Sequence, residues 1–221
     1  PKGGSPTLDR IPLLFNADIA LLYVEPDEQD AHFYRNAQAD ELVYVAKGQG
    51  TLETVFGDLP FSEGDYLVIH RGILHRYRFD ARGARGDAPK LLVMESRGHV
   101  RWPKRYRNEF GQLLEHAPYC ERDLRPPQAL EAHTERGEFE VRVKARETMT
   151  RHILDHHPLD VVGWDGYLYP WAFSIHDYMP VTGKIHQPPP SHQTFQGGNF
   201  VVCSFVPRLF DYHPDAIPVP Y

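Results

Sequence analysis

The sequence predicts a mainly β protein, and three observations carry that reading. Period-two alternation of apolar and polar residues dominates the first hundred positions. No 3.6-residue period persists for three turns anywhere in the chain. Gly (17) and Pro (20) together make about 17 % of the 221 residues, against roughly 12 % in average usage, which favours turns and short strands. Short apolar runs about ten residues apart point to a sandwich or barrel.

The elements follow in order. Ile19 to Val24 is an apolar run of strand length, and Leu42 to Val45 is the next, ended by Gly48-Gln49-Gly50. Thr51 to Phe56 alternates and is rich in β-branched residues, and Gly57-Asp58 is a turn signal. Tyr66 to Ile69 follows Gly64-Asp65, and Arg71-Gly72 closes it. His75 to Phe79 alternates again, and the glycine-rich basic stretch 81–88 separates it from Leu91 to Met94. Prolines 103, 118, 126 and 127 interrupt the next stretch, which reads as a connection packed through Trp102, Tyr106, Phe110 and Tyr119. Phe139, Val141, Val143 and Ala145 alternate with Glu140, Arg142 and Lys144, a strand with one apolar and one charged face. Asp160 to Trp171 is turn-rich and aromatic, and Val201 to Val206 is a continuous apolar run of the kind buried on both faces. This divides the chain into an N-terminal lobe (1–100), an irregular connecting segment (101–137) and the start of a second lobe (138–221).

Composition excludes several functions. The net charge of −6 argues against a nucleic-acid partner. The cation–aromatic run Arg101 to Arg107 is therefore read as a solvated or subunit-facing surface. No run approaches the roughly 18 apolar residues of a membrane span, so no membrane partner is expected. Only Cys120 and Cys203 occur, which excludes a disulfide framework and makes a cytoplasmic location the expectation. His152 and His156 would share a face on a helix, but no third ligand follows and Pro158 ends any helix nearby. The chain opens on Pro1-Lys2-Gly3-Gly4 and closes on Ile217-Pro218-Val219-Pro220-Tyr221, which reads as the interior of a longer polypeptide.

Gly64, His70, Gly72 and His75 form G-x5-H-x-G-x2-H. This resembles the second cupin signature, with His70 in place of its proline. Glu41 and Gly48 fit the Glu-x6-Gly half of the first signature. Its histidine pair is missing, and the matching positions hold Tyr34 and Asn36, or Arg35 and Ala37. The resemblance implies two cupin-like (double-stranded β-helix, jelly-roll) lobes, the second incomplete. Glu41 and His75 are two donors where a transition metal wants three or four. A metal-free first lobe is the expectation, with His75 a hydrogen-bonded interior residue.

The stretches His156 to Gly166 and His186 to Arg208 (HQPPPSHQTFQGGNFVVCSFVPR), with the ending Ile217 to Tyr221, resemble the homogentisate 1,2-dioxygenase family. Asp40 to Val45, Gly50 to Thr54, Gly111 to His116 and Tyr119 to Leu124 are similar to it as well. The resemblance implies a non-haem Fe(II) dioxygenase that opens homogentisate with O2 to maleylacetoacetate, in tyrosine and phenylalanine catabolism. It implies a small aromatic acid substrate and a homo-oligomer, a hexamer in this family. It places the two-histidine, one-glutamate iron set after Tyr221, so no metal ligand is expected within this chain. It assigns acid–base catalysis to His186, and gives Tyr221 and His192 as substrate-binding candidates. Across Pro188-Pro189-Pro190 the alignment leaves His192 open as the rival base. A metal-free bicupin that binds a small molecule, or a dioxygenase for another dihydroxy-aromatic acid, are the alternatives.

Overall fold

A computed structural model describes residues 3–80, 88–146, 148–160, 168–179 and 193–204. The strands are β1 (Ile11–Phe15), β2 (Ile19–Val24), β3 (Phe33–Asn36), β4 (Asp40–Lys47) and β5 (Gly50–Thr54). Next come β6 (Gly57–Phe61), β7 (Asp65–Ile69), β8 (His75–Phe79), β9 (Lys90–Ser96) and β10 (Leu124–Arg125). The last are β11 (Arg136–Ala145), β12 (Thr148–His156), β13 (Trp171–Ser174), β14 (Gln193–Gln196) and β15 (Val201–Cys203). One sheet runs β1-β2-β9-β4-β7-β13-β10, a second runs β12-β11-β3-β8-β5-β6, and β14-β15 form a small third. The protein is mainly β, as the alternation predicts.

Between the two large sheets lies a core of Val43, Val45, Leu52, Leu59, Leu67, Ile69, Tyr77, Leu91 and Val93, all 2 % exposed or less. The seven-stranded sheet is also covered on its other side. Leu42, Tyr66, Val68, Trp171 and Phe173 face outward there and are covered by Val100, Tyr106, Tyr119 and Phe195. Double burial explains why Leu42 to Val45 and Tyr66 to Ile69 read as unbroken apolar runs. The proline-rich connection is the cover, and Tyr119 Oη bonds the Thr194 carbonyl at 2.5 Å. Phe110 takes no part in it, being 81 % exposed.

Two glycines shape the site end. Gly64 turns into β7 at φ +88° and Gly72 turns out of it at φ +87°, a region that L side chains avoid. Gly72 N–H is tied to the Asn36 carbonyl at 2.8 Å.

Several elements differ from the sequence reading. The strand from Thr51 starts at Gly50 and ends at Thr54, because Gly57 already opens β6. The sequence reading starts a second lobe at 138, yet β11 pairs in parallel with β3 (Val141 opposite Phe33) and β13 pairs antiparallel with β7 (Ala172 opposite Leu67). Strands β11, β12 and β13 thus complete the two sheets of the N-terminal strands. The charged alternation of β11 reflects a strand with only Val141 buried. Val201 is 58 % exposed and Val202 and Cys203 are half-buried, so β15 is the outer strand of a hairpin whose inner strand β14 is buried against the sheet. His152 and His156 lie on β12, where four residues span about 13 Å, too far to share an ion.

Candidate functional site

The barrel interior gathers the residues at the cupin ligand positions. Tyr34 and Asn36, on β3, are the inward pair, 1 % and 3 % exposed. Tyr34 Oη donates to Glu41 Oε1 at 3.1 Å, and Asn36 Nδ2 donates to the same oxygen at 3.0 Å. His75 is fully buried, and its Nδ1–H donates to the Ile73 carbonyl at 3.0 Å. The tyrosine and asparagine that stand for a histidine pair therefore hydrogen-bond the carboxylate.

The cation at this centre is a side chain. Arg10 Nη1 lies 2.9 Å from Glu41 Oε1 and 3.5 Å from Glu95 Oε1, and the guanidinium sits 5.4 Å from the Tyr34 ring centroid. Lys144 Nζ pairs with the other Glu95 oxygen at 2.6 Å. Arg10 is held from behind: its Nε–H donates to the Pro6 carbonyl at 2.8 Å, and Ser5 and Thr7 hydroxyls donate to the buried Asp30 carboxylate at 2.5 and 2.7 Å. Burial alone would raise the Glu41 pKa, but the Arg10 charge and the hydrogen bonds outweigh it, and the carboxyl is held below its usual range. Burial lowers His75, which favours the neutral ring.

This donor set does not fit Fe(II). Glu41 Oε2 and His75 Nε2 keep lone pairs without a hydrogen-bond partner among the described residues, but two donors fall short of a ligand set. A dication there would also sit beside a guanidinium.

Among the described residues two further groups have the residue types of a metal site within 4.8 Å: Asp40, His70 and His99, and His133, Glu135 and His157. In the first, His70 Nδ1–H and His99 Nδ1–H donate to Asp40 Oδ2 at 3.0 and 2.9 Å. The Val100 amide donates to the same oxygen and the Arg71 amide to Oδ1, each at 2.9 Å. The carboxylate is thus occupied by four donors. An ion could take only the Nε2 atoms, with Asp40 behind them. In the second group, His157 Nδ1 accepts the Leu159 amide at 3.2 Å, which puts the proton of the neutral ring on Nε2 and leaves no lone pair for an ion.

Burial would raise Asp40, but the bonds from His70, His99 and the two amides hold it well below the carboxylate range. A depressed folded-state pKa stabilises the fold above the ordinary value near 4, and that stability is lost as the pH falls through the folded value. Asp40→Asn is expected to cost about 1–3 kcal/mol at pH 7, a Tm loss of up to about 10 °C in a chain of this size. In thermal melts the gap to the parent narrows below about pH 4; a gap independent of pH would refute the charge argument.

The sequence reading found Glu41, His70 and His75 but missed Arg10, Asp40 and His99. Asp40 carried a signal, an acidic pair (Asp40-Glu41) heading an apolar strand whose alternate faces are both buried. Arg10 carried none, since it lies more than twenty residues from everything it meets in the barrel. His186, His192 and Tyr221 lie outside the described residues.

A two-sheet β barrel with a glycine-flanked β7 and degenerate ligand positions on β3 and β4 defines a cupin-like jelly roll. The family model for the homogentisate 1,2-dioxygenase N-terminal region matches residues 16–175. The chain belongs to the homogentisate 1,2-dioxygenase family. It is 45 % identical, over all 221 residues, to 56 % of the Saccharolobus solfataricus protein named "Putative dioxygenase SSO1533". It is 28 % identical over 152 residues, 69 % of this chain, to 32 % of a homogentisate 1,2-dioxygenase from Bradyrhizobium diazoefficiens. The chain therefore spans about half and about a third of the length of these relatives. A Ralstonia eutropha structure titled as a putative mannose-6-phosphate isomerase superposes with a TM-score of 0.34 at 20 % identity, over 43 % of this chain and 89 % of that one. That likeness does not bear on function. Among the described residues no helix is long and apolar enough to cross a membrane.

Proposed function

We propose that this chain is the scaffolding part of a non-haem Fe(II) dioxygenase that opens the ring of homogentisate with O2 to give maleylacetoacetate. The observation that carries this reading is the family match over residues 16–175, together with a relative whose name is a dioxygenase. The Arg10–Glu41 pair gives it physical support, because a barrel that supplies its own cation is suited to scaffolding. Iron would then be held in the part of the relatives' length that this chain does not span. No step through it is assigned to the described residues. The chain's own contribution is His186, a neutral imidazole near pH 7 able to take the phenolic proton of the substrate. Tyr221 and His192 are proposed to line the substrate. The apolar residues Leu13, Leu14 and Phe15 on the exposed edge strand β1 support a homo-oligomer.

The test is Fe(II) content and O2 uptake of the anaerobically purified full-length gene product. Homogentisate is expected to be consumed with one iron per chain and the ultraviolet absorbance of a ring-opened product. Uptake only with a different dihydroxy-aromatic acid would move the substrate. No iron and no uptake would leave a bicupin that binds a small molecule, the reading that the arginine-filled barrel favours next.

A further inference from the structure

Outside the barrel, where β7 ends and β13 begins, a cavity of about 250 Å³ lies over the seven-stranded sheet. Arg101, which is exposed, and Arg107, which is half-buried, line it, and neither guanidinium meets a carboxylate among the described residues. The Nε–H of Arg107 and the indole N–H of Trp102 are sealed inside the protein and take no part. What Arg107 offers the cavity is its Nη groups. His70 and His99 form a second wall. Asp40 stands behind them, accepting the Nδ1–H of each ring at 3.0 and 2.9 Å and the amides of Arg71 and Val100. Those bonds put the proton of the neutral ring on Nδ1 and leave a lone pair on Nε2. His70 is only 7 % exposed, yet its Nε2 is not among the sealed atoms and has no partner among the described residues. It opens into the cavity that its ring lines.

One ligand therefore has two demands to meet. The guanidiniums call for an anion, and the imidazole of His70 calls for a hydrogen. A carboxylate meets only the first, since it carries no hydrogen at neutral pH. A metal cation meets neither and is repelled by the arginines. A singly protonated phosphate meets both: its oxygens accept from the guanidiniums, and its O–H donates to Nε2. The second ionisation of a phosphomonoester lies near pH 6, so that hydrogen is within reach near neutrality. Trp102, Tyr169 and Trp171 form the remaining wall, with the two indoles 5.8 Å apart and tilted by 56°. They offer apolar surface for the carbon face of one ring. The cavity falls just under the roughly 300–1,000 Å³ of a drug-sized site, which suits a body of that size.

We infer that this cavity binds a phosphomonoester with a body of one sugar-sized ring, its phosphate between Arg101 and Arg107 and hydrogen-bonded to His70 Nε2. The site goes beyond the oxygenase reading and uses none of the residues proposed for that chemistry.

Glucose 6-phosphate is the probe, and tryptophan emission of the full chain is the readout, because two of its three tryptophans line the cavity. A saturable change is expected, with none from glucose and no displacement by benzoate at the same concentration. Arg101→Gln alters an exposed side chain and is expected to weaken binding by about tenfold or more, the scale of one charge-assisted hydrogen bond. The charged and titratable groups that face His70 are Asp40, His99, Arg101 and Arg107. Affinity is expected to fall several-fold as the pH rises from about 6 to about 8 and the phosphate loses its hydrogen. His70→Asn keeps an N–H for Asp40, lacks Nε2, and is expected to flatten that fall. Should this variant fail to fold, as judged by circular dichroism, the slope of the parent decides alone. Docking on the arginines by charge alone favours the dianion, so an affinity that rises with pH overturns the proposal. No saturable change, an equal response to glucose, displacement by benzoate, or unchanged affinity in Arg101→Gln overturns it as well.

Discussion

Arg10→Met is expected to lower the unfolding free energy by about 3–5 kcal/mol, the cost of leaving a buried charge unpaired. For a chain of this size that is a Tm loss of roughly 6–20 °C. The reason lies in Glu41, which is fully buried and without the guanidinium keeps only Tyr34 Oη and Asn36 Nδ2 as donors among the described residues. Burial would then dominate and push its pKa up. The sign follows. In the parent, the depressed Glu41 stabilises the fold above the ordinary glutamate value near 4.3 and loses that contribution as the pH falls. In the variant, a raised Glu41 weakens the fold at neutral pH and recovers as it protonates. The difference between the two melting curves should therefore shrink from pH 7 towards pH 4. The double variant Arg10→Met with Glu41→Gln should regain much of the loss, since replacing both partners of a buried pair is far cheaper than removing one. A fall of under about 2 °C in the single variant would mean that the pair is not the centre of the lobe.

His186→Ala in the full-length protein is expected to cut kcat by about 100- to 10,000-fold, the usual weight of a positioned acid–base group. Iron content should not change, because His186 is assigned a proton and not a metal. The acidic limb of the pH–rate profile, which reports the base, should disappear with the side chain. His192→Ala is the control. If it carries the large loss instead, the base lies on the far side of the three prolines. If neither variant loses more than about threefold, proton removal does not belong to this part of the protein.

How far the sequence reached depends on whether a signal is local. The strands β2, β4, β7, β8 and β9 are apolar runs or alternations bounded by Gly or Asp, and each stands close to where its pattern places it. The turn glycines at 64 and 72 adopt the left-handed backbone that their motif requires. Strand β1 begins Ile11-Pro12, and a proline reads as a break. It is tolerated here because β1 is an edge with a register shift at that point. Strand β13 hid in an aromatic, turn-rich stretch because its two faces meet different cores, Ala172 inward and Trp171 and Phe173 outward. The site divided along the same line. Glu41 and His75 sit in spaced motifs, whereas Arg10 reaches them through tertiary structure alone, and the three-way bond of Asp40 to His70 and His99 joins residues 30 and 59 positions away. No window of sequence contains such a set.

The parallel pairing of Phe33–Asn36 with residues 141–144 has a consequence for birth on the ribosome. The partner strand emerges 108 residues after Phe33, which at roughly 5–20 residues per second is a delay of about 5–20 s. Until then the edge of β3, which carries Phe33 and Tyr34 beside Arg35 and Asn36, stays open on that side. Such long-range closure is slow, and a chaperone that shields that edge during synthesis would raise the yield of native protein more than one acting after release.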